Sequence, residues 1–256
     1  MSLTVQPIRF TDNVEEMSRL LVALGLSVSI TSDKGGWIVL AGRTGTVALH
    51  SAADSAGGAR GGQTSLSFET DTLDQLAQQL AASGFGNADH PDESIVYDEA
   101  YGRAITITSG EDELIINGRS DDLYGYTATG AAPGPDAGDL RVTPIRFVDD
   151  QTADRRLLEA LGFSVVGEAS PDFTQMALPD PGGAVGLHHI YTDELPVVPG
   201  PFAIQLTFET ATPLPEIVQR AQSAGAAATL NESEFGDFIT ITDAYGQQLQ
   251  VHAASV

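Results

Sequence analysis

The sequence predicts an α+β protein that contains two copies of one domain, and three observations support this prediction. Short segments recur in the same order about 137 residues apart. Strand and helix patterns alternate within each copy. A stretch rich in glycine and proline separates the copies, and 256 residues are enough for two small domains.

The repeat defines the predicted domains. The matching segments are residues 5–10 with 142–147, 23–28 with 160–165, 66–70 with 206–210 and 105–108 with 239–242. Between the copies, residues 119–139 have linker composition without apolar periodicity. We therefore place domain one at residues 1–118, the linker at 119–139 and domain two at 140–256.

The first half of each copy reads as a strand, a helix and further strands. Leu3–Phe10 alternates apolar and polar residues, which predicts a strand. Asp12 is the expected N-cap of a helix, with Glu15 three residues later, and Gly25 is the expected stop. Between the cap and the stop, apolar residues recur at helical spacing. Two further strands are predicted at residues 37–41 and 46–50.

The second half of each copy repeats this order. A strand is predicted at residues 64–69, a helix from Leu73 to Leu80 that ends before Gly84, and strands near 104–108 and 113–117. In copy two, the predicted helices cover about residues 150–161 and 213–224. Thr212 is the expected cap of the last helix, and Pro213 its first residue.

Composition excludes several classes of function. There is no cysteine, so neither a disulfide framework nor a thiolate metal site is possible. Lys and Arg number 12 against 35 Asp and Glu, a net charge of −23, which disfavours nucleic acid and anionic membranes as partners. No secretory signal or membrane-length apolar run is recognisable. We expect an acidic, cytoplasmic protein, and the alanine-rich composition with arginine favoured over lysine suggests a bacterial source.

The chain resembles the vicinal oxygen chelate superfamily, which includes glyoxalase I, bleomycin-resistance proteins and extradiol dioxygenases. Three segments carry the resemblance, PIRFTDNVEEMSRLLVALGLSV at 7–28, PIRFVDDQTADRRLLEALGFSV at 144–165 and FITITDAYGQQLQV at 238–251. The resemblance implies two βαβββ modules in each domain, which form a cupped mixed sheet with helices on the convex face. We call the concave faces of the two domains cup one and cup two.

In metalloenzymes of this superfamily, His, Gln and Glu side chains in the cup hold a divalent metal. The matching positions in cup one are Val5, Ala48, Ser65 and Ile115, and those in cup two are Val142, Gly186, Gln205 and Gln250. Apolar residues and neutral amides supply neither the charge nor the basicity that such a site needs. We therefore expect no metal and no cofactor.

Other polar residues are predicted to line the cups. Strand alternation counted from Val5 turns Arg9 inward, and Arg146 is its counterpart in copy two. The resemblance implies that such an arginine holds an anionic substrate; alternatively, Arg9 pairs with Glu69 and Arg146 with Glu209. The predicted ligand-binding residues are Arg9, His50, Ser65, Glu69, Arg146, His188, Gln205, Glu209, Gln250 and His252.

The favoured function is a metal-independent small-molecule binding protein, similar to the bleomycin-resistance branch, that holds an antibiotic or a metabolite. One alternative is a lyase, isomerase or dioxygenase with an atypical metal or acid–base site built from His188, Glu209 and His252. Another is a degenerate interaction scaffold with filled cups. No catalytic residue is assigned. The two domains are expected to form an internal pseudo-dimer, and a homodimer is possible.

Overall fold

The computed structural model describes residues 3–86, 94–99, 101–109, 112–119, 125–191, 203–233, 236–243, 246 and 248–254. This part of the chain forms four helices, two in each copy, and four β-sheets. The predicted α+β class and the duplicated modules are confirmed. Linker residues 120–124 and hairpin residues 244–245 lie outside the described residues.

Copy one contains two modules of similar order. The first module is β1 (Leu3–Val5), β2 (Ile8–Thr11), α1 (Val14–Leu24), β3 (Ser27–Ser32), β4 (Trp37–Ala41) and β5 (Thr46–Ser51). The second module is β6 (Thr64–Ser65), β7 (Ser67–Thr70), α2 (Leu73–Ala82), β8 (Val96–Glu99), β9 (Gly102–Ser109) and β10 (Asp112–Gly118).

Copy two follows β11 (Tyr126–Ala128) and has the same plan. Its first module is β12 (Arg141–Val142), β13 (Ile145–Val148), α3 (Thr152–Ala160), β14 (Ser164–Val166), β15 (Phe173–Ala177) and β16 (Ala184–His189). Its second module is β17 (Ile204–Gln205), β18 (Thr207–Thr210), α4 (Leu214–Ser223), β19 (Ala227–Asn231), β20 (Phe238–Thr242) and β21 (Gln248–Ala253).

Helix ends follow local chemistry, with small corrections to the sequence prediction. Asn13, rather than Asp12, caps α1, because its side-chain oxygen accepts a hydrogen bond from the backbone N–H of Glu16. Gly25 ends α1 with a φ of 122°, a conformation that favours glycine. Pro213 is the N-cap of α4 rather than its first residue. The hydroxyl of Thr212 instead donates to Asp139 at 2.6 Å.

The first strand of every module is split between two sheets. In copy one, β1 pairs with β7, whereas β2 pairs with β5 and β6. In copy two, β12 pairs with β18, whereas β13 pairs with β16 and β17. The copy-one sheets have the strand orders β11-β3-β4-β5-β2-β6 and β1-β7-β10-β9-β8. The copy-two orders are β14-β15-β16-β13-β17 and β12-β18-β21-β20-β19.

Part of the predicted linker belongs to a sheet. Residues 126–128 form β11, which pairs antiparallel with β3 and extends the first sheet of copy one. The backbone amide of Asp33 donates to the carbonyl of Gly125 at 2.7 Å, which fixes the start of this strand. The domain boundaries proposed from the sequence stay a prediction.

The two copies share one hydrophobic core. Phe68 of β7 is fully buried, and its ring contacts that of Phe163 in copy two, with 5.6 Å between centroids. Reciprocal backbone bonds join the copies: the amide of Val5 donates to Gly182 at 2.8 Å, and the amide of Val142 donates to Thr44 at 2.9 Å. The two copies are therefore packed against each other and are not joined by the linker alone. Within the described residues, no helix is long and apolar enough to cross a membrane.

Candidate functional site

On β1 and β2, the residues that face cup one differ from the sequence prediction by one position. Ile8 lies opposite Ala48, and both belong to a small apolar cluster that is separate from the helix-covered core. Phe10 packs against the same cluster. Val5, which was predicted to face the cup, is fully buried in the main core opposite Phe68. The even-numbered residues of β1 and β2 therefore face cup one.

Arg9 accordingly lies on the helix-covered side, and its predicted inward orientation is wrong. Its side chain is 3% exposed and pairs with Asp243 of copy two at 2.5 Å. It also donates to the carbonyl of Gly62 and to the hydroxyl of Thr64. Burial lowers the pKa of Arg9, and Asp243 opposes this effect. The predicted pair with Glu69 does not form, because Arg9 joins the two copies instead.

Arg146 is also on the helix side, so the same correction applies in copy two. Its Nε lies 2.9 Å from Oδ1 of Asp154, in the first turn of α3. It lies opposite Leu187, a core residue, in the β13–β16 register. The alternative pairing of Arg146 with Glu209 is also wrong, because the two side chains lie on opposite faces of the sheets.

His50 and His188 occupy equivalent positions in the two cups. Nδ1 of each lies 2.7 Å from the backbone carbonyl of the next residue. A carbonyl only accepts hydrogen bonds, so Nδ1 carries the proton and Nε2 is an acceptor in the neutral ring. In cup one, Phe10 and Trp37 lie beside His50, with ring centroids 5.5 and 5.6 Å away.

Aromatic side chains surround His188 in cup two. Its ring centroid is 5.3 Å from that of Phe147 and 6.1 Å from those of Phe173 and Tyr191. Phe173 lies over Gly186, where an added Cβ would stand 2.9 Å from the phenyl Cε2. A glycine at this position lets the phenyl ring lie flat on the floor of the cup.

The described polar groups of cup one are largely satisfied by one another. Gln6 is 2% exposed, and its amide donates to Thr46 at 3.2 Å. Glu69 pairs with Arg119 at 2.9 Å. Ser65 is nearly buried and lies opposite Ile8 in an apolar surrounding.

Two polar groups at the base of cup two lack a partner among the described residues. Gln205 is 3% exposed, and its Nε2 has no hydrogen-bond partner. Thr143 is 6% exposed, and its hydroxyl also has none. Gln205 lies opposite Ile145, and the backbone of Thr143 donates to Thr207, so both residues lie where the first strands cross. A buried, unsatisfied donor costs about 1–3 kcal/mol.

Further along the same cup, Glu209 and His252 are neighbours across β18 and β21. Glu209 accepts a hydrogen bond from the amide of Gln175 at 2.7 Å. Nε2 of His252 lies 3.2 Å from Oε1 of Gln250, and the imidazole stacks on Phe238 with centroids 5.3 Å apart. Burial lowers the pKa of His252, which keeps the ring neutral at pH 7.

The structure adds residues that the sequence analysis missed. Thr143 was overlooked because alternation was counted from the wrong residue. Gln175 and Phe173 stand opposite Gly186 and His188 on β15, where copy one has Val39 and Trp37. The sequence did contain a signal for Gln175, because this polar residue replaces the apolar Val39 of copy one.

The residues of the cups do not fit a divalent metal. On the first strands, the cup-facing residues next to Val5 and Val142 are Gln6 and Thr143, both neutral. Gln205 and Gln250 add neutral amides, which are weak ligands without a carboxylate or an imidazole. Among the described residues, no three His, Asp or Glu side chains are arranged to hold a metal, so His188, His252 and Glu209 form no such group.

No family model matches the chain, and no curated protein sequence does either. Solved structures match over almost its whole length. A Mn(II)-bound glyoxalase from Novosphingobium aromaticivorans has a TM-score of 0.58 at 12% identity, covering 98% of this chain and 81% of that one. For 2,2',3-trihydroxybiphenyl 1,2-dioxygenase from Sphingomonas wittichii strain RW1, the TM-score is 0.58 at 14% identity, and the coverage is 98% and 89%.

A third structure is a xylose isomerase-like TIM barrel/4-hydroxyphenylpyruvate dioxygenase fusion protein, with a TM-score of 0.58 at 11% identity. The match covers 99% of this chain but 48% of that longer protein. Glyoxalases and extradiol dioxygenases are members of the vicinal oxygen chelate superfamily. The chain therefore has the vicinal oxygen chelate fold, which is the fold that the resemblance implied.

Proposed function

We propose that this chain is a metal-independent small-molecule binding protein of the glyoxalase and bleomycin-resistance type, and that cup two is its binding site. The observation that carries the proposal is that the buried Nε2 of Gln205 and the buried hydroxyl of Thr143 have no hydrogen-bond partner among the described residues. A ligand oxygen that accepts from both groups would recover the cost of burying them. An antibiotic or a metabolite with a carbonyl or a similar acceptor has this chemistry.

The contrast between the copies supports the choice of cup two. In cup one, Gln6 is the buried amide, and Thr46 already satisfies it. The floor of that cup around Ile8 is apolar. Cup two contains buried donors that have no partner among the described residues, together with the aromatic group around His188. We therefore assign cup one a packing role.

The experiment combines metal analysis with a ligand screen on the full chain. Plasma mass spectrometry of freshly purified protein should find less than stoichiometric divalent metal, and a stoichiometric metal would contradict the proposal. A thermal-shift screen against antibiotics and aromatic metabolites should give ligands that raise the melting temperature. Such a ligand should lose its effect in Gln205→Met and keep it in Ser65→Ala, a substitution at the matching position of cup one. If no ligand shifts the melting temperature, the filled-scaffold alternative is favoured.

A second candidate function is a metal-free isomerase or lyase. It is supported by the position of His188 in cup two, where Nδ1 faces the backbone carbonyl of His189 and Nε2 is the ring atom left to exchange a proton with a bound substrate. Exchange of ligand hydrogens with D₂O, detected by NMR, tests it. Exchange that disappears in His188→Gln while ligand affinity is retained would establish catalysis. The homodimer, the cytoplasmic location and the bacterial source stay predictions.

A further inference from the structure

The two cups have a glutamate at equivalent positions, Glu69 and Glu209, and differ in whether an arginine pairs with its carboxylate. Glu69 of cup one pairs with Arg119 at 2.9 Å. Asn117 lies beside Glu69 in the β7–β10 register, and His252 lies beside Glu209 in the β18–β21 register. Two residues further along, copy one therefore has Arg119, whereas copy two has Ala254. The arginine that neutralises the first carboxylate has no counterpart in cup two.

Glu209 has a neutral partner instead. All lysines and arginines of the chain lie within the described ranges, and none forms an ion pair with this carboxylate. Its hydrogen bond comes from the uncharged amide of Gln175. Arg141 stands opposite Glu209 in the β12–β18 register, yet the two charged groups are not in contact. His252, on the other side, is kept neutral by burial. No described lysine or arginine therefore forms an ion pair with Glu209.

Aromatic rings lie near the two neighbours of this carboxylate, Gln175 and His252. Phe173 precedes Gln175 by two residues on β15, so the two side chains share one face, and Phe173 is 37% exposed. Phe238 stacks on His252, the neighbour of Glu209. A carboxylate in a cup that also holds aromatic rings is suited to an organic cation, which ion-pairs with the carboxylate and is attracted to the rings.

We propose that the ligand of cup two carries a protonated amine that binds Glu209, with an attached aromatic or aliphatic body against Phe173 and Phe238. This inference rests on the proposed function and adds the chemical class of the ligand. Gln205 and Glu209 are four residues apart, on β17 and β18, which sets an upper limit of about 13 Å between their Cα atoms. One ligand of this length, with an acceptor oxygen at the inner end and an amine at the outer end, would engage both residues.

Three indole compounds test the charge requirement on the full chain by isothermal titration calorimetry at pH 7. Tryptamine is a cation, tryptophol is its neutral hydroxyl analogue, and indole-3-propionate is an anion. Tryptamine should bind at least about tenfold more tightly than the other two, and its affinity should fall as salt rises, because the contact is electrostatic. Equal affinity for tryptamine and tryptophol would overturn the inference.

Two variants assign the effect to Glu209. Glu209→Gln should reduce tryptamine binding to the level of tryptophol, while Glu69→Gln, the matched change in cup one, should leave it unchanged. Ala254→Arg should have the same effect as Glu209→Gln, because it restores the arrangement of copy one without touching the carboxylate. Unchanged tryptamine binding in both cup-two variants would contradict the inference, and circular dichroism checks that each variant is folded.

Failure of the ligand class can be distinguished from failure of the site. If neutral or anionic compounds bind and Gln205→Met abolishes their binding while amines are ignored, the amine inference is wrong and the proposed function stands. If no compound of any charge shows binding that depends on Gln205, both are wrong.

Discussion

Replacing Gln205 by methionine should stabilise the ligand-free protein, an unusual result for a buried position. Methionine has nearly the same shape as glutamine but no amide, so the change removes an Nε2 that has no partner among the described residues and leaves no cavity. The gain should be about 1–3 kcal/mol, the cost of an unsatisfied buried polar group. At this chain length, that corresponds to a rise in melting temperature of about 2–6 °C.

The matched control is Gln6→Met in copy one. Gln6 is as deeply buried as Gln205, but its amide donates to Thr46 at 3.2 Å. Removing the donor leaves the hydroxyl of Thr46 without this bond, so the variant should lose about 1 kcal/mol. The two substitutions are chemically identical and should shift stability in opposite directions.

The assay is urea unfolding followed by circular dichroism, with a thermal melt as a second measurement. Ligand titration on the same samples completes the test, since Gln205→Met should be more stable but unable to bind. If Gln205→Met destabilises the protein as much as Gln6→Met, then Gln205 has a structural partner. The assignment of cup two would then lose its main support.

Three other predictions follow from particular contacts. Burial lowers the folded-state pKa of His252 below its ordinary 6.5. The unfolded chain therefore binds more protons at acidic pH, and the free energy of unfolding should fall as pH drops below about 6.5. In urea titrations, the free energy of unfolding of His252→Gln should fall less steeply with decreasing pH, and an identical slope would contradict this. Gly186→Ala places a Cβ 2.9 Å from Phe173, so it should lower the free energy of unfolding by about 1 kcal/mol. Calorimetry should also show weaker ligand binding in cup two. Unchanged affinity would show that Phe173 is not part of the site. Arg9→Met leaves Asp243 buried without its cation and should lower the free energy of unfolding by about 3–5 kcal/mol. In a double-mutant cycle, adding Asp243→Asn should recover part of this loss. Additive losses would show that the two residues are not coupled.

Much of the fold could be read from local patterns. The apolar spacing of α1 and its glycine stop at Gly25 predicted a helix that the structure begins two residues after Asp12. The neutral amides of Gln205 and Gln250 were also visible, because the type of a residue does not depend on which way its strand faces. Propensity, periodicity and residue chemistry are properties of neighbouring residues, so the sequence alone reveals them.

The candidate site was predicted only in part. His188, Gln205, Glu209 and His252 were identified and lie in cup two. Arg9 and Arg146 were placed on the wrong face, because alternation defines two faces and does not say which one is covered by helices. A shift of one residue in the count exchanges every side chain between the cup and the core.

The sequence by itself determined the duplication, the order of helices and strands, and the types of side chain available. Only the tertiary structure decided which groups meet and which remain without a partner. Arg9 finds Asp243 across 234 residues of chain, Glu69 finds Arg119, and Gln205 finds no partner among the described residues. These outcomes depend on how the two copies pack and how their first strands cross, and contacts between distant segments leave no periodic trace in the sequence.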